Sequence, residues 1–148
     1  MKIIEISYPD YMEKYRDIIL GFIPDLVNKA NVTYEIAKEE IEEVFQYYAG
    51  HFWIVKDKED VVGFAAIELM VDSNMTMLDY IYLLPHYRTK ENENLLFKLA
   101  EKLSDDYGIR RVYAVSHKDF GCTKLAERYS NFVWPECKLA AHLFVRRL

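Results

Sequence analysis

The chain has 148 residues, of which 51% are hydrophobic, 15% aromatic and 29% charged, and its formal net charge is −5. This length and apolar content predict one globular domain over residues 1–148, and the negative charge removes the global positive field that binding to nucleic acid or to an anionic membrane would need. The five glycines lie at least 13 residues apart, which excludes both a P-loop and the G-x-G-x-x-G fingerprint of dinucleotide-binding proteins.

The first third of the chain predicts one strand and two helices. The strand covers residues 3–7, and Pro9 stands where a helix can begin without losing a needed N–H. An apolar face with helical spacing follows, formed by Tyr11, Tyr15, Ile18, Ile19 and Phe22. A second helix is predicted from Thr33 as its N-cap to Gly50 as its terminator. Its buried face consists of Tyr34, Ala37, Ile41, Val44, Phe45 and Tyr48.

The pattern then changes from helices to strands. Residues 52–56 and 61–71 predict an antiparallel hairpin around a polar turn. A further strand over residues 75–84 ends at Pro85, which cannot donate a hydrogen bond to a sheet. An amphipathic helix follows, and Gly108 suits its left-handed cap. The apolar face of that helix consists of Leu95, Leu96, Leu99, Ala100, Leu103 and Tyr107.

The last part of the chain predicts a strand over residues 112–116, one more helix, and two strands over 132–134 and 139–145 that close the sheet. The apolar positions of the helix are Cys122, Leu125, Ala126 and Tyr129. Residues 75–116 form a strand-helix-strand unit, which requires a right-handed parallel crossover. We therefore predict an α/β (α+β) fold in which helices flank a mixed, mostly antiparallel sheet.

Two stretches in the strand region carry a recognisable motif. Residues 61–66 read Val-Val-Gly-Phe-Ala-Ala, and residues 80–88 read Tyr-Ile-Tyr-Leu-Leu-Pro-His-Tyr-Arg, an apolar strand that runs into Pro-x-Tyr-Arg. With the order of the elements, these stretches resemble the GNAT-type N-acetyltransferase superfamily. The resemblance is best over residues 52–148 and implies a single GNAT-like domain with an acyl-CoA N-acyltransferase fold.

The resemblance also implies a cofactor loop of the form Arg/Gln-x-x-Gly-x-Gly/Ala, in which backbone N–H groups at a helix start hold the pyrophosphate of coenzyme A. The corresponding residues are Arg88, Thr89, Lys90, Glu91, Asn92 and Glu93. The arginine is present, but glutamates occupy both small positions. A carboxylate about 5 Å from a phosphate charge is repelled by roughly 0.8 kcal/mol in water and by several-fold more in a partly buried cleft. We therefore expect the binding of acetyl-coenzyme A to be weakened or lost.

A general base is implied on or beside the strand over residues 75–84. Asp79 is the first candidate and Glu68 the second, although each also has an ordinary interpretation as a solvated strand residue. The family separates this strand from the next one so that the pantetheine arm can enter. Leu83 and Leu84, which precede Pro85, are the residues expected to preserve that separation.

The family's catalytic tyrosine, which protonates the departing thiolate, has no clear counterpart in this chain. Its position falls on Glu127, or on Ala126 if Asn131 is an insertion, and neither side chain can do the work of a tyrosine. Tyr129 lies nearby, but helical spacing turns it onto a different face, which favours a packing role. The altered loop and the missing tyrosine are two independent departures from the family's catalytic pattern.

Neither a metal site nor a disulfide framework is expected. The four histidines share no ligand spacing with Cys122 or Cys137, and the two cysteines are interpreted as reduced thiols. Glu5 interrupts the first apolar residues, which argues against a signal peptide or a membrane anchor. These observations lead us to expect a soluble, cytoplasmic protein.

Two functions remain open from the sequence. The favoured one is a GNAT-fold binding or structural module with weakened coenzyme A binding, in effect a pseudoenzyme. The alternative is an active acyl-CoA-dependent N-acetyltransferase that acts on an amine of a small molecule or a protein. The expected partners are accordingly a protein or a small amine, with no nucleic acid and no membrane, and the chain could form a homo-oligomer or part of a larger assembly.

Overall fold

The computed structural model describes residues 1–27, 33–46, 50–109, 111–117, 133–134 and 141–147. Helix α1 is continuous through Tyr8–Asp10, a π-helical turn at Tyr11–Tyr15 and Arg16–Val27. Helix α2 is Tyr34–Glu43 and leads into a 3₁₀ turn at Val44–Gln46, while a second 3₁₀ turn, Pro85–Tyr87, precedes helix α3 at Lys90–Asp106. The strands are β1 Lys2–Glu5, β2 Gly50–Asp57, β3 Asp60–Met70, β4 Met75–Leu83, β5 Arg111–His117, β6 Val133–Trp134 and β7 Ala141–Arg147.

These strands form one seven-stranded sheet in the order β1-β2-β3-β4-β5-β7-β6. The pair β4 and β5 is parallel, and the other described pairs are antiparallel. Helix α3 makes the connection between the two parallel strands. The predicted mixed, mostly antiparallel sheet with one crossover is therefore confirmed.

Each face of the sheet carries its own hydrophobic cluster. Because side chains alternate along a strand, Phe64 and Ala66 of β3 pack on the face covered by α1 and α2, whereas Ala65 and Ile67 pack on the face covered by α3. The α1/α2 face is rich in aromatic rings, and the rings of Phe52 and Phe64 are stacked with their centroids 5.4 Å apart. Much of the chain's aromatic content therefore serves as core in this layer.

The predicted apolar face of α1 is correct at its start and wrong further along. Tyr11 and Ile19 are fully buried as expected, but Ile18 is 42% exposed, and Ile23 and Leu26 are buried in its place. The cause is the π-helical turn at Tyr11–Tyr15, because a wider turn adds a residue and rotates every later side chain relative to a regular 3.6-residue period.

The predicted face of α3 also needs correction at its edges. Leu96 and Ala100 are buried, whereas Leu95 is 40% exposed and Tyr107 is 55% exposed. Phe97, which was not predicted to face inward, is buried among the residues packed on this side of the sheet. The buried stripe is thus centred one residue later than the leucine pattern indicates. Gly108 has a φ of +68°, which confirms the predicted left-handed cap.

Gly50 does not terminate the second helix directly; it is the first residue of β2. A Cβ at this position would lie 1.9 Å from the carbonyl oxygen of Val44, so glycine is needed because the strand begins directly against the first residue of the preceding 3₁₀ turn. The predicted strand over 139–145 is observed at Ala141–Arg147. The predicted helix of residues 122–129 lies outside the described residues.

Candidate active site

The parallel strands β4 and β5 are paired over only a short distance. Their paired residues in the described strands are Thr76 with Val112, Met77 with Tyr113 and Leu78 with Ala114. Beyond Leu78, β4 continues to Leu83 with β3 as its described partner. The expected separation of the two strands therefore begins after Leu78, toward the carboxyl end of β4, where the start of α3 lies.

Asp79 is the residue at which the two strands part, and it is also the extra residue of a β-bulge. In the β3–β4 register, Ala66 pairs with Tyr80 and Ile67 pairs with Leu78, so Asp79 has no opposite residue on β3. A bulge of this kind re-aims a side chain and is common beside active sites. The bulge therefore interrupts the alternation of side chains along β4 at Asp79 and Tyr80, beside the point where β4 and β5 separate.

The environment of Asp79 disfavours its ionised form. Its Oδ2 atom is buried and has no hydrogen-bond partner among the described residues. Burial, and next the neighbouring carboxylate of Glu68, raises the pKa of Asp79 to about 8, and Glu40 adds to the shift. The carboxyl also has a side-chain hydrogen bond with Glu68, so only its Oδ2 atom is unsatisfied. A buried oxygen without a partner is costly to keep, and groups with a perturbed pKa concentrate at functional sites.

The residues around Asp79 come from two neighbouring elements. Glu68 lies on β3 opposite Met77 and is half-buried, and Glu40 lies on the exposed side of α2. The Tyr80 hydroxyl donates a hydrogen bond to the Oε2 atom of Glu40. Burial, followed by that hydrogen bond, raises the pKa of the Tyr80 phenol above its usual range. Tyr80 therefore remains a neutral hydrogen-bond donor beside an acidic group of side chains.

The predicted residues Leu83 and Leu84 lie at the end of β4, where the strand leads into the 3₁₀ turn. The Leu84 N–H donates to the carbonyl of Val62 at 2.8 Å. Because backbone groups of successive strand residues point in opposite directions, the carbonyl of Leu83 points away from β3. The Nε atom of Arg88 donates to that carbonyl at 2.7 Å.

The loop that leads into α3 is held by its own hydrogen bonds. Arg88 has φ −78° and ψ +63°, and the Thr89 N–H donates to the Tyr87 carbonyl at 2.8 Å, which together define an inverse γ-turn. Thr89 is the N-cap of α3, because its hydroxyl accepts a hydrogen bond from the Asn92 N–H at 3.2 Å. The Asn92 side chain in turn donates to the Tyr87 carbonyl at 2.9 Å. The cap at Thr89 was not predicted, although threonine is one of the preferred N-cap residues.

Asp25, near the end of α1, is a site residue that the sequence did not reveal. Its Oδ2 atom accepts hydrogen bonds from the Tyr82 hydroxyl at 2.7 Å and from Nη2 of Arg88 at 2.5 Å. The hydrogen bond from Tyr82, together with Arg88, lowers the pKa of Asp25 despite partial burial. Burial and the bond to Asp25 raise the pKa of Tyr82 to about 12. More than fifty residues separate Asp25 from both partners, so only the folded chain brings them together.

The structure thus groups the predicted residues into two neighbouring sets. Asp79 and Glu68 lie together at the bulge, and Leu83, Leu84 and residues 88–93 lie at the strand end and the start of α3. The position expected for the family's tyrosine, at residues 126–127, lies outside the described residues. Among the residues the structure describes, no three His, Cys, Asp or Glu side chains are grouped as a metal site would require. No described helix has the length and apolar character to cross a membrane.

Comparisons with known proteins agree with this architecture. The family model described as "Acetyltransferase (GNAT) family" matches residues 14–132, whereas no curated protein matches the chain. The chain is similar to the PaiA N-acetyltransferase of Thermoplasma acidophilum, solved in complex with coenzyme A, with 18% identity, a TM-score of 0.64 and coverage of 99% of this chain and 98% of that one. It is also similar to a GNAT-family acetyltransferase of Staphylococcus aureus Mu50, with 17% identity, a TM-score of 0.73 and coverage of 99% and 98%.

A third similar structure is the N-acetylglutamate synthase of Neisseria gonorrhoeae, complexed with coenzyme A and N-acetyl-glutamate. The identity is 19% and the TM-score 0.69, and the match covers 99% of this chain and 35% of that longer chain. Identities this low show a shared fold and leave the acceptor open.

Proposed function

Because the chain belongs to the GNAT acetyltransferase family, whose model covers residues 14–132, we propose that it is an acyl-coenzyme A-dependent N-acyltransferase that acts on a protonated amine. The observation that carries the proposal is Asp79, a bulged, partly buried carboxyl with an unpartnered oxygen at the point where β4 and β5 separate. From the sequence alone we favoured a binding module over an active transferase; the environment of Asp79 leads us to propose the transferase instead. A module with no catalytic task would have no use for such a costly group, which a solvated strand aspartate avoids.

Asp79 acts in this proposal as the general base. A protonated amine must lose a proton before its nitrogen can attack, and Asp79, with a pKa of about 8, can take that proton near neutral pH and release it to solvent afterwards. The carboxylates of Glu68 and Glu40 attract the cationic amine and keep the pKa of Asp79 high. The Tyr80 hydroxyl, bonded to Glu40, helps to fix this side of the site.

The residues at the gap fit coenzyme A in part. The Leu84 N–H and carbonyl and the Leu83 carbonyl are already hydrogen-bonded within the protein, so the Leu83 N–H and the first turn of α3 would hold coenzyme A. When bound, coenzyme A supplies the acyl group as an activated thioester. The start of α3 offers a partial positive charge, and Lys90 adds a full one. Against this, Glu91 is exposed in the same turn, and the Asn92 N–H is already bonded to Thr89. The proposal is therefore a transferase with weak phosphate binding.

The test is an acetyl-transfer assay that follows thiol release from acetyl-coenzyme A with a diamine, a lysine-containing peptide and an amino acid as acceptors. We expect turnover with at least one amine, and we expect Asp79→Asn to lower kcat by about 100-fold or more, since a positioned base contributes roughly that factor. The matched control is Asp72→Asn, an exposed aspartate in the turn after β3. Absence of turnover with every amine, or a full kcat in Asp79→Asn, would contradict the proposal.

The second candidate is a binding module that has lost coenzyme A binding. The observation that favours it is the engagement of Arg88, the one residue retained from the family loop pattern, with Asp25 and the Leu83 carbonyl. Calorimetric titration with acetyl-coenzyme A separates the two candidates. A dissociation constant in the micromolar range favours the transferase, whereas neither heat nor a thermal shift at millimolar ligand favours the module.

Variants at Glu91 and Glu93 show whether the glutamates limit binding. We expect the double change Glu91→Gln and Glu93→Gln to tighten acetyl-coenzyme A binding, because it removes two negatively charged residues from the start of α3, where the phosphates would bind. The pair Glu91→Gly and Glu93→Gly should tighten it further by clearing the backbone. An unchanged dissociation constant in both double variants would show that the carboxylates do not limit binding. The control is Glu59→Gln, at a 95% exposed side chain in the β2–β3 turn.

A further inference from the structure

We infer that Asp25 is a positioning residue that sets the start of α3 by holding Arg88. The inference deepens the proposed function and rests on it, because the start of α3 is where the phosphates of coenzyme A would bind. Asp25 belongs to α1, which with α2 covers the sheet face that carries Tyr80, the neighbour of Asp79, whereas Arg88 belongs to the loop at the end of β4. The contact therefore ties the acceptor side of the site to the cofactor side.

The clamp consists of four mutually supporting contacts. One carboxylate oxygen of Asp25 accepts from Tyr82 at 2.7 Å and from Arg88 at 2.5 Å. Arg88 also donates to the Leu83 carbonyl at 2.7 Å, and its guanidinium carbon lies 5.3 Å from the centre of the Tyr82 ring. A planar guanidinium held by a carboxylate, a carbonyl and a ring face has little freedom to rotate.

The backbone of Arg88 transmits this restraint to the helix. Arg88 is the central residue of the inverse γ-turn, and Thr89, the next residue, is the N-cap of α3. A change in the Arg88 backbone would therefore move the cap and the first helical N–H groups together. Asp25 acts on these groups through Arg88, without any requirement that it contact the ligand.

The chain offers a matched control for this clamp. Glu42 on α2 also accepts from a buried tyrosine and an arginine, namely from Tyr11 at 3.0 Å and from Arg16 at 2.8 Å. The arginines of the two clusters have the same side-chain exposure, 30%. The Glu42 cluster joins α1 to α2 and includes no residue of the cofactor loop, so its loss reports the general effect of breaking such a cluster.

The experiment compares Asp25→Asn with Glu42→Gln in the full chain. We expect Asp25→Asn to raise the KM for acetyl-coenzyme A about tenfold, the factor that corresponds to one lost charge-assisted hydrogen bond, while kcat and the KM for the amine change by less than about twofold. Glu42→Gln should lower the melting temperature without changing either KM. Tyr82→Phe, which keeps the ring and removes one hydrogen bond, should move the KM for acetyl-coenzyme A in the same direction and serves if Asp25→Asn does not fold.

Amide hydrogen exchange provides a readout that does not depend on coenzyme A. The N–H groups of Thr89 and Asn92 are hydrogen-bonded in the loop, so they should exchange faster in Asp25→Asn and not in Glu42→Gln. Unchanged exchange, or a lower KM for acetyl-coenzyme A, would overturn the inference, the latter because Asp25 would then be competing with the phosphates for Arg88. If the wild type shows no turnover but these amides exchange faster in Asp25→Asn, the clamp is supported and the proposed function is overturned.

Discussion

Asp79 combines three properties that are separable in principle: its position on a bulge, its burial and its acidic neighbours. The position was accessible from the sequence, because the resemblance to a known family points to the strand that ends at Pro85. The bulge and the burial were not, since the sequence 75–84 carries no glycine or proline that signals an irregularity. The choice between Asp79 and Glu68 as base therefore depends on the fold, which leaves the Asp79 oxygen without a partner among the described residues.

The pH dependence of turnover tests this assignment. A general base must be deprotonated in the free enzyme, so kcat/KM should rise with pH, inflect near pH 8 and then level off. Because the charge of Glu68 raises the pKa of Asp79, Glu68→Gln should keep turnover and move the inflection to lower pH. Asp72→Asn should leave the profile unchanged. If Glu68→Gln abolished turnover while Asp79→Asn retained it, the roles of the two carboxylates would be reversed.

At the scale of elements, strand β3 lies close against β4 at Gly63, opposite Leu83. A Cβ at Gly63 would lie 2.3 Å from the Tyr82 carbonyl oxygen and 2.8 Å from a methyl carbon of Leu83. The apolar-apolar-Gly-Phe motif that supported the family resemblance therefore has a steric reason. The glycine lets the end of β4 lie close against β3, where the Leu83 carbonyl meets Arg88.

Alanine substitution at two glycines should consequently have opposite effects. We expect Gly63→Ala to destabilise the protein by about 1–3 kcal/mol, the usual cost of forcing an extra methyl group into a packed site. Gly21 lies exposed in α1 with open space around its Cβ position, so Gly21→Ala should stabilise the protein by about 0.5–1 kcal/mol. Urea denaturation measures both changes. A neutral Gly63→Ala would mean that β4 can shift without cost, and the close approach would not explain the glycine.

The order of the described elements could be predicted from the sequence. Which side chains of each helix are buried could not. The alternation of strands, the cap at Gly108 and the parallel crossover depend on local patterns that the sequence displays. The exposure of Ile18 depends on a π-helical turn, and the burial of Phe97 depends on which stripe of α3 meets the sheet. These features, like the clamp at Asp25, arise from tertiary contacts between residues far apart in the chain.

At the scale of the whole molecule, the sheet separates two hydrophobic clusters, and the site lies where β4 leaves β5 and continues beside β3. Its two key carboxylates have opposite shifts. The pKa of Asp25 is lowered because Tyr82 and Arg88 bond its ionised form, and the pKa of Asp79 is raised because burial and Glu68 disfavour its ionised form. The ionised form of Asp25 therefore stabilises the fold, whereas the ionised form of Asp79 destabilises it.

This opposition predicts how stability depends on pH. Between the ordinary aspartate pKa of 3.8 and about 8, the unfolded chain releases the Asp79 proton while the folded chain keeps it, so the contribution of Asp79 to the free energy of unfolding falls as pH rises and then levels off. Asp25 contributes in the other direction, because its stabilisation is present above the ordinary pKa and is lost as pH falls through its lowered pKa.

Urea denaturation of wild type and Asp79→Asn across pH 4–9 isolates the contribution of Asp79. The free energy of unfolding of the wild type should fall relative to that of the variant up to about pH 8 and run parallel to it above. A constant difference between wild type and Asp79→Asn from pH 4 to pH 8 would show that Asp79 titrates normally in the folded protein, and the proposed base would then lose the property that distinguishes it from a solvated strand aspartate.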